Sequence, residues 1–436
     1  MRWTVYNFLF AVAYASLLPR FWWRMRRRGG YRNRFGDRFG RYPADVAQRL
    51  GSAKGAVWIH AVSVGEVYVA GQVMRSMREI DPGVRFVLST TSSTGWKEAE
   101  KQAGPADVLV YNPVDFTVCV NRALDAIGPR ALILTESEIW PNLIRLCRQR
   151  DVPVFLVNAR VSDRSAPGYR RLRFWFGPVL RMFTAIMAQS ESDRRRLLAA
   201  GASPETVEVT GSFKFDVAGR DPLKEEAAAA FMAAHDCGKG RLVLLGGSTW
   251  PGEDAVLVGI YKRLSARHPE LRLVLVPRHF EKADAVQAEI ERAGFRCVRK
   301  SRAGSASAAD VGGPPPVLLA DTTGELMGFY GNAAIVFVGK SLCEHGAQNM
   351  IEPCLCGAAT LVGPHTENFR PVMSDLLEAG AVIQVTDAAA LEREIETLLA
   401  DPAGRAALGS RAVAAVMRRK GVVARCAARL MSLMDK

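Results

Sequence analysis

The chain has 436 residues, 49% of them hydrophobic and 23% charged, and carries a formal net charge of +14. That length exceeds the roughly 250–300 residues one core sustains, so two domains are expected, and the composition excludes a disordered or fibrous chain. The eight cysteines stand apart except Cys354 and Cys356, whose single intervening residue is not zinc-finger spacing. Reduced thiols in a cytosolic setting are expected, with no metal site.

Residues 5–19 read VYNFLFAVAYASLLP, an uncharged apolar run, and residues 20–41 read RFWWRMRRRGGYRNRFGDRFGR, with Asp37 as the only acid. The run is shorter than the about 20 residues a helix needs to cross a hydrocarbon core. Apolar before basic is the reverse of a signal peptide. Trp3, Tyr6, Phe21, Trp22 and Trp23 suit the water–lipid boundary, and the arginines suit anionic headgroups. Residues 1–41 are therefore expected to form a membrane anchor with a basic juxtamembrane segment, and the positive-inside rule keeps the remainder of the chain cytoplasmic.

From residue 57 short apolar runs alternate with helix-like segments. They are VWIHAV (57–62), VRFVLST (84–90), DVLVY (107–111), ALILT (131–135), VPVFLVNA (152–159), TAIMAQ (184–189) and VEVTG (207–211). Rich in Val, Ile and Leu without polar alternation, they predict strands buried on both faces of a parallel α/β sheet. DPLKEEAAAAFMAAHDCGKG (221–240) interrupts the rhythm as a helix and a glycine-bounded linker. The pattern resumes with RLVLLGG (241–247), LRLVLVP (271–277), PPVLLAD (315–321), AAIVFVG (333–339), ATLVGP (359–364) and AVIQVT (381–386). Two Rossmann-like domains are expected, residues 42–220 and 221–436, facing a central cleft. SRAGSASAADVGGPPP (301–316) is expected to be a surface loop.

Ligands of open parallel sheets bind at the carboxyl ends of the strands. HAVSVGEV (60–67) puts Ser63, Gly65 and Glu66 there, at the start of a helix. A carboxylate so placed can take a proton from an attacking hydroxyl, or can serve only as an acid at a helix N-terminus. LILTESEIWPNLI (132–144) adds Glu136 and Glu138, with Pro141 in a first helical turn, and NAR ends the next strand at 158–160. VTGSFKFD (209–216) brings Lys214 near the lobe junction, where a cation can neutralise a leaving phosphate.

In the second half, LLGGSTWPGEDAVL (244–257) is a strand, a turn with Ser248 and Thr249, and a helix; the turn suits a phosphate without matching a P-loop or a dinucleotide fingerprint. VPRH supplies Arg278 and His279, and DTTGELMGFYG supplies Thr323, Gly324 and Glu325 at another helix start. VFVGKSLCEHGAQNMIEP (336–353) predicts a helix on which Asn349 and Glu352, three apart, share a face and can hold a ribose diol. Together these turns point to a nucleotide-linked donor opposite an acceptor hydroxyl.

HAVSVGE, TESEIWPNLI, NARVSDRS, VTGSFKFD, STWPGED, VPRH, DTTGELMGFYG and the run from GKSLCEHGAQN to GPHTENF resemble the Kdo transferases, which move 3-deoxy-D-manno-oct-2-ulosonic acid (Kdo) from CMP-Kdo to a lipid A precursor. The resemblance spans nearly the whole chain, including its apolar-then-basic start. It implies a GT-B fold with the acceptor domain first and the donor domain second. It implies inverting, metal-independent and cofactor-free transfer at the cytoplasmic side of the bacterial inner membrane. By resemblance Glu66 is the general base, and Glu136 and Lys214 stabilise the transition state. Pro277, Arg278, Thr323, Gly324, Glu325, Asn349, Met350, Ile351 and Glu352 hold CMP. The chain departs from the family pattern at Trp250 and Gln348, where the family usually has His, and at Ala347, where it has Gly. Two other readings of the sequence are a transferase using another nucleotide sugar on a membrane lipid, and a basic module binding lipid or nucleic acid without chemistry. The basic residues cluster beside an apolar anchor rather than along a base-reading element, so no nucleic-acid partner is expected.

Overall fold

Strands without polar alternation need cover on both faces, and the fold supplies it twice. The computed structural model describes residues 3–28, 32–217, 219–303 and 314–435. It divides into two compact units, Met1–Phe213 with Gly421–Lys436, and Lys214–Lys420.

The sheet of the first unit contains β1 (Val57–His60), β2 (Phe86–Thr90), β3 (Val108–Tyr111), β4 (Ala131–Thr135), β5 (Val154–Ala159), β6 (Ala185–Ala188) and β7 (Val207–Val209). All are parallel, in the order β3-β2-β1-β4-β5-β6-β7. Trp58, with its ring N–H on Ser89 Oγ at 2.8 Å, faces one apolar cluster, while Val57 and Ile59 face the other. Alternate residues of one strand thus serve the helical layers on both sides.

The helix Trp3–Arg28 includes Pro19 and takes in both the apolar run and the start of the basic one. Its first half docks on the first unit. Tyr6 donates its hydroxyl to Asp115 at 2.6 Å, Asn142 donates to Asn7 at 2.6 Å, and Phe10 and Tyr14 pack edge-on against Phe116. Phe8, Leu9, Val12 and Leu17 remain exposed. Among the described residues no helix is long and apolar enough to cross a membrane. The side chains of Arg20 to Trp22 and Arg24 to Asn33, where much of the lipid-facing expectation rests, lie outside those described.

The second unit repeats the plan with β8 (Leu242–Thr249), β9 (Leu271–Pro277), β10 (Cys297–Arg299), β11 (Val317–Leu319), β12 (Ile335–Val338), β13 (Ala359–Val362) and β14 (Ile383–Gln384). They are again all parallel, ordered β10-β11-β9-β8-β12-β13-β14. Most of the expected loop at 301–316 falls at residues 304–313, outside the described residues.

Two expectations about the division differ from the structure. The boundary lies after Phe213, not Arg220, and the final helix, Val422–Met434, belongs to the first unit. Val422, Cys426, Ala427 and Leu430 pack with Val67, Ala70, Met74 and Met77 of the helix Val64–Ile80. An apolar helical stripe identifies a buried face but not the sheet it covers.

Candidate active site

In an open parallel sheet the crevice lies where the strand order reverses. In the first unit β1 and β4 flank that point. Ser63 caps the helix Val64–Ile80, its Oγ accepting the Glu66 N–H at 3.2 Å and donating to Glu66 Oε1 at 3.0 Å. Glu66 Oε2 accepts from the Val62 N–H at 2.9 Å and the Thr135 hydroxyl at 3.2 Å. The Thr135 hydroxyl also lies 3.1 Å from the His60 carbonyl oxygen and shares its proton between the two acceptors.

Glu136 follows β4 with φ of 51°, and Asn158, near the end of β5, has φ of 52°. Left-handed backbone at residues with side chains is costly and collects at functional sites. Asn158 Nδ2 reaches Glu136 Oε1 at 3.4 Å, and its carbonyl oxygen Oδ1 accepts the Phe213 N–H at 3.2 Å. Glu138, two residues on, accepts from the Trp140 ring N–H at 2.9 Å. Burial, then the charges of Glu66 and Glu136, push its carboxyl up to about 7. Fully buried His60, at the end of β1, is pushed down to about 4 by desolvation.

In the second unit the reversal lies between β8 and β12. Here the phosphate-binding expectation meets a prior occupant. Glu253 is fully buried and accepts the N–H groups of Trp250 at 2.9 Å, Lys340 at 2.8 Å, Ser341 at 3.0 Å and Leu342 at 3.0 Å. The protein's own carboxylate thus fills the anion position of the turn. Thr249 is buried, with its hydroxyl donated to Asp254 at 2.5 Å, and Ser248 is buried at φ of 53°. The side chain of neither faces outward, contrary to the simplest reading of the GGST turn. No sequence signal marked Glu253, because the loop it binds lies 87 residues further on.

Pro277 pairs with Thr249 in the sheet, and the Arg278 N–H bonds the Thr249 carbonyl at 3.0 Å, so exposed Arg278 sits beside this turn. Trp250, in the place of the family's usual His, has Lys340 Nζ 4.4 Å from its ring centroid and His279 packed edge-on at 5.1 Å. Asn349 is not on a helix with Glu352, as expected; it precedes the short helix Ile351–Leu355. Its Oδ1 accepts the Ile351 N–H at 3.1 Å and its Nδ2 donates to Glu352 Oε1 at 2.9 Å. The pair still converges, but through a turn closed by the Asn349 side chain ahead of the helix rather than through a shared face. Burial raises the Glu352 carboxyl, opposed by Asn349 and Arg278. Met350 and Ile351 are core residues, leaving only their backbone for a ligand. Thr323 and Gly324 are exposed, whereas Glu325 is engaged by Lys300 and the Thr322 hydroxyl. Lys214 opens the second unit, its Nζ donating to the Asn368 carbonyl at 2.9 Å and lying 3.9 Å from the Phe369 ring centroid.

Among the described residues one cluster has metal-ligand chemistry, though the sequence suggested none. His345 and His365 place their Nδ1 atoms 3.1 and 3.7 Å from Glu367 Oε1. Two imidazoles and a carboxylate at such separations could hold a divalent ion.

Comparison with known proteins identifies the family. Residues 33–217 match the family model described as 3-deoxy-D-manno-octulosonic-acid transferase (kdotransferase). The chain is 35% identical to the 3-deoxy-D-manno-octulosonic acid transferase of Bordetella pertussis, over 93% of this chain and 94% of that protein. It is 31% identical to the enzyme of the same description from Haemophilus influenzae, over 91% and 90%. A glycosyltransferase crystal structure from Rickettsia africae superposes with a TM-score of 0.58, covering 88% of this chain and 99% of that one at 12% identity, a likeness of fold. The chain belongs to the 3-deoxy-D-manno-octulosonic acid transferase family of glycosyltransferases.

Proposed function

We propose that the protein transfers Kdo from CMP-Kdo to a hydroxyl of a lipid A precursor, with inversion, at the cytoplasmic side of the bacterial inner membrane. The observation that carries this reading is Glu66, an acid held by three donors at the reversal of the first sheet. In the proposed step the acceptor O–H bond breaks and its proton passes to Glu66. The freed oxygen bonds to the anomeric carbon, and the bond from that carbon to the phosphate oxygen breaks, its electron pair leaving with CMP. Glu136 and Lys214 are assigned to the transition state. Pro277, Arg278, Thr323, Gly324, Glu325 and the stretch Asn349–Glu352 are assigned to CMP.

CMP is already a good leaving group, so the reaction asks for a base, orientation and cations at the phosphate, and needs neither cofactor nor metal. The first unit is assigned to the acceptor and the second to the donor. The exposed Phe8, Leu9, Val12 and Leu17 support a helix lying along a lipid surface. The test is to incubate the purified protein with CMP-Kdo and lipid A precursor and weigh the products by mass spectrometry. Glu66→Gln is expected to abolish transfer and leave CMP binding intact. Transfer surviving that substitution overturns the assignment of the base.

A further inference from the structure

Several carboxyl groups, among them Glu66, Glu136 and Glu138, lie on the segments that follow β1 and β4. Three like charges in one partly buried place are costly, so environment must decide which carboxyl keeps a proton. Glu66 accepts from the Val62 N–H, the Ser63 hydroxyl and the Thr135 hydroxyl, the last shared with the His60 carbonyl oxygen at 3.1 Å. Glu138 Oε2 accepts the Trp140 ring N–H at 2.9 Å, and the same oxygen also faces a histidine. His60 Nδ1 lies 3.0 Å from the Ser89 hydroxyl, which suits either tautomer, and 3.1 Å from the Ser89 carbonyl oxygen, which can only accept and so suits only a protonated Nδ1. That contact assigns the ring proton to Nδ1 and leaves Nε2 as a bare acceptor. His60 Nε2 is buried with no hydrogen-bond partner among the described residues, and the Glu138 carboxylate is the group it faces, with Oε2 4.0 Å away. A lone pair pointed at an ionised carboxylate is repelled by it, whereas a carboxylic acid has the proton that this nitrogen lacks.

We propose that Glu138 works as a neutral acid, its proton aimed at His60 Nε2, so that it adds no charge beside Glu66. Glu138 is then a positioning residue that acts through Glu66, and this rests on Glu66 being the base proposed above. Glu66 from the helix Val64–Ile80, Glu136 from the β4 loop, His60 from β1 and Tyr169 from the helix Ala166–Arg171 are the titratable groups around it. Ionising Glu138 adds an anion beside a reaction that builds negative charge on the attacking oxygen and on the departing phosphate. Transfer is then opposed, and the group must release its proton close to neutrality rather than near pH 4.

Two measurements test this. In the intact wild-type protein without substrate, carbon-13 NMR of labelled glutamate carboxyls, with Glu138 assigned by the signal lost in Glu138→Gln, is expected to show titration near pH 7. A Glu138 signal already ionised at pH 5 overturns the proposal. In transfer assays, wild-type kcat/KM is expected to fall as pH rises through 7. Glu138→Gln keeps a neutral N–H donor, so it is expected to cost less than tenfold at pH 6 and to abolish that fall. A loss above a hundredfold at pH 6, or an unchanged alkaline limb, refutes it. Should the wild type transfer nothing, the reading of function fails, and the NMR titration still decides the state of Glu138.

Discussion

Replacing Glu253 by Gln probes the second unit at its sheet reversal. The carboxylate accepts four backbone N–H groups, two on each oxygen. Gln keeps one accepting oxygen and turns an NH2 group toward the other two donors, so two charge-assisted bonds are lost. At about 1.5–3 kcal/mol for a hydrogen bond to a charged group, the loss is roughly 3–6 kcal/mol. In a unit of this size each kcal/mol moves the midpoint by about 2–4 °C, so the lower figure alone corresponds to roughly 6–12 °C. Calorimetry of the full chain, with hydrogen exchange at the amides of Lys340, Ser341 and Leu342, reads both the size and the place of the effect. Those amides are expected to exchange faster in the variant while those of β1 and β4 keep wild-type rates. A midpoint within 2 °C of wild type, or unaltered exchange in the Lys340–Leu342 turn, would refute the claim that this carboxylate ties the two loops together.

Gly339→Ala tests the same junction sterically. A Cβ there would collide with the Ser248 carbonyl oxygen and lie 2.6 Å from Thr249 Cα, both backbone atoms, so the thermal midpoint and CMP affinity are expected to drop together. Asp254→Asn is expected to change the pH dependence of stability. Burial pushes the Asp254 carboxyl up to about 7, so the folded state holds a proton that the unfolded chain releases near pH 4. That contribution is present below about pH 4 and is lost as pH rises through about 7, by linkage. The midpoint of the Asn variant relative to wild type is therefore expected to climb between pH 5 and pH 8, as measured by calorimetry across that range.

The sheets were legible because their strands are buried on both faces and read as continuous apolar runs. The exception, β10, is a half-buried three-residue edge strand, Cys-Val-Arg, with too few apolar positions to stand out. The positions of Glu66 and Glu136 just past β1 and β4 were legible because the apolar runs before them mark where those strands end. Glu253 and His60 were not. Three of the four partners of Glu253 come from a loop 87 to 89 residues away, and the neighbours of His60, Ser89 and Glu138, lie on other elements. Local pattern carries periodicity and capping, but a carboxylate reaching across two loops leaves no mark on its own neighbours. The position of Asn349 was misjudged because the spacing of Asn349 and Glu352 fits a helix face and a side-chain-closed turn before a helix equally well.

The helix Val422–Met434 is synthesised only after the whole of the second unit, yet it covers Met74 and Met77 of the first. At the usual pace of about 5–20 residues per second, the roughly two hundred intervening residues occupy the ribosome for about 10–40 seconds. Throughout that interval the nascent first unit carries an uncovered methionine-rich face. The second unit, contiguous in the chain, meets no such delay. A chaperone engaging the nascent polypeptide would find its binding surface there, and translation itself sets how long that surface stays open.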